Sequence, residues 1–149
     1  MDDFTEGENA CLVLEPLSKT LCQLAENQGY SGFPLYIVKS FAWQLLVGLA
    51  ELSLNKPIIH ADLKPDNIMI KKTLQKKIKI IDFGSSFYNL PKKVQYVQSR
   101  FYRAPEVILG YLYTPAIDMW SVGCILCELH TGKPIFNGQN EGEQLVTLI

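Results

Sequence analysis

The chain has no surplus of charge of either sign, few cysteines and no uninterrupted apolar run of membrane length. Lys and Arg number 14 against 15 Asp and Glu, a formal net charge of −1. Without a basic surplus there is no electrostatic footprint for nucleic acid or for an anionic membrane as a partner. The longest apolar stretch, Phe41 to Leu54, is broken by Gln44, Glu51 and Ser53. It therefore reads as a core helix and not as a bilayer span. The N-terminus is acidic, whereas a signal peptide is basic and then apolar. Together with only four cysteines, that points to a reducing, intracellular setting, cytoplasmic and/or nuclear. Cys124 and Cys127 form a C-x-x-C, but no second pair accompanies them and no strand leads in. One turn apart in an apolar helical stretch, they read as two buried core thiols and not as a zinc or redox site. Repeats and low-complexity segments are also missing. What is left, 149 residues at 48% hydrophobic and 19% charged, is the composition of one globular domain with a sizeable core.

Two segments carry chemistry. Residues 60–67 read His-Ala-Asp-Leu-Lys-Pro-Asp-Asn, and Asp82-Phe83-Gly84 follows. The spacing suits a phosphoryl-transfer site: Asp62 to accept the proton of an attacking hydroxyl, Lys64 two residues on, and Asn67 with Asp82 to hold Mg²⁺ against phosphate oxygens. Pro57-Ile58-Ile59 is a short apolar run that delivers His60 to a loop, and Pro65 stiffens that loop by fixing φ. Ile68-Met69-Ile70 and Ile78-Lys79-Ile80-Ile81 read as two strands joined through residues 71–77. Such a hairpin brings Asn67 and Asp82 to one end, and two oxygen ligands there suit a hard cation that keeps its waters. Lys71, Lys72, Lys76, Lys77 and Lys79 read as the solvated side of the hairpin.

Elsewhere the pattern is mainly helical. Residues 1–9 are polar and read as loose, and Ala10 to Leu14 reads as a buried strand ending at Glu15-Pro16-Leu17. Pro34 opens a long helix with apolar positions Ile37, Phe41, Leu45, Leu49 and Leu52. Pro105 to Leu109, closed by Gly110, suits a single-turn helix. Asp118 to Thr131 reads as a second core helix, apolar at Met119, Trp120, Val122, Ile125, Leu126 and Leu129, stopped by Gly132.

With these residues in hand the chain resembles a eukaryotic protein kinase catalytic domain. Ala104-Pro105-Glu106 matches the end of an activation segment, and Asp118-Met119-Trp120-Ser121-Val122-Gly123 matches the buried helix that follows it. Tyr96 to Glu106, Asp82-Phe83-Gly84-Ser85-Ser86 and His130-Thr131-Gly132-Lys133-Pro134 resemble the CMGC group, and within it the dual-specificity tyrosine-regulated kinases (the DYRK family). The resemblance runs from about Cys11 to Ile149 and covers only the middle of a kinase. No G-x-G-x-x-G occurs, and no Lys before residue 19 could serve as the strand lysine. The expected fold is therefore α+β and protein-kinase-like. Residues 1–149 would be a partial domain, with a hinge strand at about 10–17 and the helical large lobe at about 18–149.

The resemblance implies an ATP-dependent Ser/Thr protein kinase with ATP and Mg²⁺ as cofactors, a protein Ser/Thr hydroxyl as acceptor and a preference for Pro after it. By the same analogy, the backbone at Glu15 and Leu17 would meet the adenine edge. The resemblance also implies that Leu14 would be the gatekeeper and that Met69 with Ile81 would line the apolar side of the pocket. Ser99 falls where Ser/Thr kinases bridge the base and Lys64. Ala61 replaces the Arg of H-R-D, so Arg100 and Arg103 are left to grip a phosphate on Tyr96, the expected regulatory site; guanidinium forks suit such a group. His60 is expected to pack and hydrogen-bond, and Asp118 to accept backbone N–H bonds from the catalytic loop. Two alternatives are a small-molecule phosphotransferase of the aminoglycoside-kinase type, which lacks the Ala104-Pro105-Glu106 and Asp118-x-Trp120-Ser121 pair, and a catalytically silent kinase-like interaction module.

Overall fold

A computed structural model describes residues 2–54, 57–72, 77–88 and 96–149. Its elements are β1 (Asp2–Glu6), β2 (Asn9–Val13), β3 (Leu17–Thr20), α1 (Leu21–Asn27), α2 (Leu35–Leu54), β4 (Ile58–Ile59), β5 (Ile68–Lys71), β6 (Ile78–Ile80), β7 (Phe87–Tyr88), α3 (Pro105–Ile108), α4 (Ala116–Thr131) and α5 (Glu141–Val146). The architecture is α+β: two long helices carry the core and small antiparallel sheets frame the loop at residues 60–67.

Three expectations need correction near the N-terminus. Residues 2–6 are not loose, because β1 pairs antiparallel with β2 from Asp2↔Val13 to Glu6↔Asn9. The second strand is not buried: only Cys11 in it is partly covered. Leu14 lies beyond the strand and is 68% exposed. A two-stranded ribbon has no second layer, so its apolar residues stay in solvent.

α1 is fixed by a capping box, Thr20 Oγ1 accepting from Gln23 N at 3.1 Å and Gln23 Oε1 from Thr20 N at 3.0 Å, a device worth about 1 kcal/mol. α2 begins after Pro34 as its sequence pattern requires. Its fully buried positions are Val38, Phe41, Leu45 and Leu49, with Ile37 and Leu52 only partly covered at the edge of the same cluster. By length and composition alone α2 could cross a membrane. Here one of its faces is core, packed with Leu21, Phe33, Leu63, Val122, Ile125 and Leu129.

α4 starts at Ala116, slightly earlier than its pattern indicated. Its inner face is Ile117, Val122, Ile125 and Leu129, whereas Met119 is 47% exposed and Trp120 is partly buried. Cys124 is buried and its thiol is pushed up to about 12 by desolvation. Cys127 is exposed, which corrects the reading of two core thiols: positions i and i+3 straddle the edge of the buried stripe. At Gly132 the helix ends in the left-handed conformation, φ 80°. A Cβ there would lie 1.8 Å from the Tyr30 carbonyl oxygen, so glycine permits both the turn and the close approach of the two loops.

Candidate active site

β5 and β6 pair in register Ile68↔Ile80, Met69↔Lys79 and Ile70↔Ile78, the hairpin expected from the sequence, although Ile81 follows β6 instead of extending it. The link at 73–76, and with it Lys76, lies outside the described residues. β3 adds to the other side of β5, with Leu17↔Lys71 and Thr20↔Met69. Leu14, Glu15 and Leu17 thus lead into a strand edge beside Met69. Lys71 and Lys79 are not free solvated charges: their ammonium groups reach Glu15 at 2.6 and 3.4 Å, and Lys71 above all holds that carboxyl below its ordinary range.

The loop at residues 60–67 hangs between this hairpin and α4. Asp118 is 2% exposed and accepts from His60 N at 2.7 Å and from Ala61 N at 3.0 Å. Burial pushes its carboxyl up, and those two amide bonds oppose the rise. Ala61 has φ 63°, a conformation that costs a non-glycine residue about 1 kcal/mol and is held by the two bonds. His60 is fully buried, with its Nε2 3.0 Å from the Ile81 carbonyl oxygen. That oxygen can only accept, so Nε2 carries the proton and Nδ1 accepts from Asp62 N at 3.3 Å. Both ring nitrogens are engaged, which places His60 in the scaffold, as expected. Ser86 Oγ adds a bond to the His60 carbonyl at 3.1 Å.

At the tip, Pro65–Asn67 forms a 3₁₀ turn with Pro65 at its start. The turn brings Asn67 Nδ2 to the Asp62 carbonyl at 2.9 Å and to Asp62 Oδ2 at 3.2 Å. Lys64 Nζ lies 2.9 Å from Asp62 Oδ2 and 3.1 Å from Ser99 Oγ. Ser99 in turn donates to Asp62 Oδ1 at 2.7 Å. Burial pushes the Asp62 carboxyl up, but the Ser99 hydroxyl and the Lys64 ammonium outweigh it and hold the group below its ordinary value. A cleft of about 230 Å³ opens on this triangle, lined by Asp62, Ser85, Tyr96, Val97, Gln98 and Ser99.

Asp82 enters the same end of the hairpin: Ile81 N donates to the Asn67 carbonyl at 2.9 Å. The next residue, Asp82, is exposed with φ 60° and accepts from Gly84 N at 3.2 Å. Among the described residues no group of three or more His, Cys, Asp or Glu side chains could by itself hold a metal. A carboxylate and an amide at one hairpin end, short of a full cage, is the donor set that fits Mg²⁺ completed by water and phosphate oxygens.

The activation segment is tied down by a residue that sequence reasoning missed. Gln98 is 7% exposed with φ 69°. Its N–H donates to the Ala61 carbonyl at 3.0 Å. The side-chain amide donates to the Ile117 carbonyl at 2.9 Å and Ser121 Oγ at 2.8 Å, and accepts from Ala104 N at 2.9 Å. Arg103 Nη2 closes on the Gln98 carbonyl at 2.6 Å. A glutamine in a polar run carries no periodicity to mark it, and its left-handed backbone is invisible in composition.

Tyr96 is 57% exposed. Its hydroxyl donates to the Glu141 carboxylate and accepts from Arg103 Nη1, and the Arg103 guanidinium carbon stands 3.9 Å from the ring centroid. Arg100 is placed differently: its guanidinium donates to the Gln139 carbonyl. Of the two expected partners for Tyr96, the structure brings only Arg103 into contact, and it adds Glu141, which the sequence reading did not single out.

The protein kinase domain model matches residues 1–148, and the chain belongs to the protein kinase domain family. It is 50% identical over 150 aligned residues to human dual specificity tyrosine-phosphorylation-regulated kinase 4, covering all of this chain and 29% of that protein. To mouse dual specificity tyrosine-phosphorylation-regulated kinase 3 it is 47% identical over 149 residues, covering 25% of it. To the fission yeast DYRK-family kinase pom1 it is 44% identical over 148 residues, covering 99% of this chain and 14% of that protein. The chain thus spans under a third of the length of the curated relatives it matches.

Proposed function

We propose that this chain supplies the catalytic loop, metal ligands and acceptor cleft of an ATP-dependent Ser/Thr protein kinase, with tyrosine phosphorylation at Tyr96 as its dual-specificity component. The observation that carries the reading is the closed triangle of Asp62, Lys64 and Ser99, of which Asp62 and Ser99 line an open cleft. Asp62 accepts the proton of a protein hydroxyl, whose oxygen bonds to the γ-phosphorus as the bond to the departing ADP oxygen breaks. Lys64 offsets charge on the transferring phosphoryl group. Asn67 and Asp82 would hold Mg²⁺, which shields the phosphate oxygens of bound ATP. Leu14, Glu15, Leu17, Met69 and Ile81 would line the adenine side, supported by the pairing of β3 with β5. An intracellular setting, cytoplasmic or nuclear, belongs to the same reading and is supported by four unpaired cysteines. A kinase-like module that binds without catalysing fits less well, because it has no use for the Asp62–Ser99–Lys64 contacts.

The test is a chimera in which this chain follows the small lobe of the human relative, supplying the glycine-rich loop and strand lysine that these 149 residues do not contain. It should phosphorylate a Ser/Thr peptide. Asp62→Asn should lower kcat by a factor of at least about 100 and leave nucleotide affinity within a few-fold, because the base acts mostly in the transition state. Turnover within tenfold of the parent would sink the assignment.

A further inference from the structure

Given the proposed nucleotide site, on which this step rests, we infer that Lys71 and Lys79 are positioning residues for nucleotide binding. They hold the Glu15 carboxylate between them and so fix the backbone at 15–17 against β5, while taking no part in phosphoryl transfer. Lys71 Nζ lies 2.6 Å from Glu15 Oε1, and Lys79 Nζ lies 3.4 Å from Glu15 Oε2. One carboxylate thus ties the segment before β3 to both strands of the hairpin.

That segment has little else to hold it. Residues 14–16 lie in no strand, and Pro16 has no N–H to give to a ladder. β3 begins at Leu17, paired with Lys71, and its next pair is Thr20 with Met69. Ser18 and Lys19 therefore oppose Ile70 alone, so a bulge interrupts the ladder just where the strand starts.

Both cations stand on a firm base. Lys71 N donates to the Lys77 carbonyl at 2.8 Å, and Lys79 pairs with Met69 in the β5–β6 register. Residues two apart on a strand share a face, so Lys71, Met69 and Lys79 lie on one face of the hairpin. Met69 is the residue assigned to the apolar side of the adenine pocket, and the backbone of Glu15 and Leu17 is assigned to the adenine edge. Releasing Glu15 would let one of these walls drift from the other.

The side chains of Lys71, Glu15 and Lys79 are 27%, 41% and 48% exposed, and an isolated pair at such exposure shifts an equilibrium by about fivefold or less. Two cations on one carboxylate form a network, the case in which surface pairs matter. Lysines can also act by attracting the phosphates of a nucleotide at a distance. That route has a different signature: neutralising Glu15 would strengthen nucleotide binding, and adenosine, which has no phosphate, would be indifferent to either change.

The test uses the human relative with its matching segment replaced by these 149 residues, so that the rest of the domain is present. Adenosine affinity is measured by calorimetric titration, and kcat and KM for ATP with a Ser/Thr peptide. Lys71→Met and Glu15→Gln should each weaken adenosine binding and raise KM for ATP by about three- to tenfold. For Lys71→Met, kcat should stay within about twofold, because the lost contact serves ground state and transition state alike. The double variant should be no weaker than Glu15→Gln alone, since both changes remove the same tie, and Lys71→Arg should restore parental affinity. Adenosine affinity unchanged in both single variants, opposite signs for the two, or a fall in kcat at unchanged affinity would each overturn the inference and leave the nucleotide site standing. A parent that binds neither adenosine nor ATP would overturn the nucleotide reading and this inference with it.

Discussion

The Ser99 hydroxyl donates to Asp62 Oδ1 at 2.7 Å, so the segment before α3 and the proposed base are joined by a single short bond. Removing it with Ser99→Ala leaves the Asp62 carboxyl as buried as before with one donor fewer. Because burial pushes that carboxyl up and Ser99 is the first of the groups pulling it down, the pKa should rise. In the parent the folded pKa lies below the ordinary value of 3.8. Its ionisation therefore stabilises the fold above about that pH and is lost only as pH falls through the lower, folded value. The acid limb of kcat/KM assigned to Asp62 should accordingly move to higher pH in Ser99→Ala, and kcat should fall by up to about 100-fold through misplacement of the base. An unmoved acid limb would show that the bond does not set the ionisation of Asp62.

Gly132 tests the crossing of two loops. Its φ of 80° and the 1.8 Å approach to the Tyr30 carbonyl mean that Gly132→Ala meets both backbone strain and a main-chain clash. Gly7, at φ 62° with nothing within 4 Å, meets strain alone. Gly7→Ala should cost about 1 kcal/mol and Gly132→Ala well over about 2 kcal/mol, read from urea midpoints at constant m. Equal losses would mean that the loops part without cost.

Most of the candidate site's geometry is legible from spacing. Asp62, Lys64, Asn67 and Asp82 lie in one local strand–loop–hairpin unit, where short-range turn and pairing rules fix geometry. The β5–β6 hairpin, the start of α2 and the end of α4 follow from the same local signals, Pro34 and Gly132 among them. What stays hidden is set by tertiary partners. The exposure of β2 depends on how many layers cover it, the exposure of Cys127 on a few degrees around α4, and the role of Glu141 on a helix far along the chain. Gln98 is the clearest case, since its importance comes from five partner residues and from a backbone conformation that no residue type announces.

Gln98→Ala should therefore behave as a core mutation in a polar disguise. It strands the buried Ala104 N–H and removes donors to Ile117 and Ser121. The cost should be about 1–3 kcal/mol, measured by denaturant unfolding. In the chimera the same variant should lower kcat more than nucleotide affinity, because the lost side-chain bonds anchor the backbone whose retained N–H holds the Ala61 carbonyl beside the proposed base. A variant of parental stability and full turnover would remove Gln98 from the scaffold of the site.

Tyr96 lies between opposite charges, and that asymmetry predicts how its modification acts. Its hydroxyl touches both the Arg103 guanidinium and the Glu141 carboxylate. Arg103 has a side chain only 8% exposed and approaches Glu141 at 4.0 Å, so the unmodified segment already provides this buried cation with an anion. A phosphate on Tyr96 carries nearly two negative charges at neutral pH. It would take over Arg103 by charge-assisted bonds and repel Glu141 from the first turn of α5. Arg100, turned to the Gln139 carbonyl, would have to swing to join. Arg103→Ala should thus abolish the activating effect of phosphorylation and destabilise the segment, while Arg100→Ala should do so only in part. Glu141→Gln should leave the phosphorylated form unchanged and weaken the unmodified one. Mass spectrometry of the active chimera, with hydrogen exchange over residues 96–104, is the measurement. Full activity with Tyr96 unmodified, or equal losses from the two arginine variants, would refute this order of contacts.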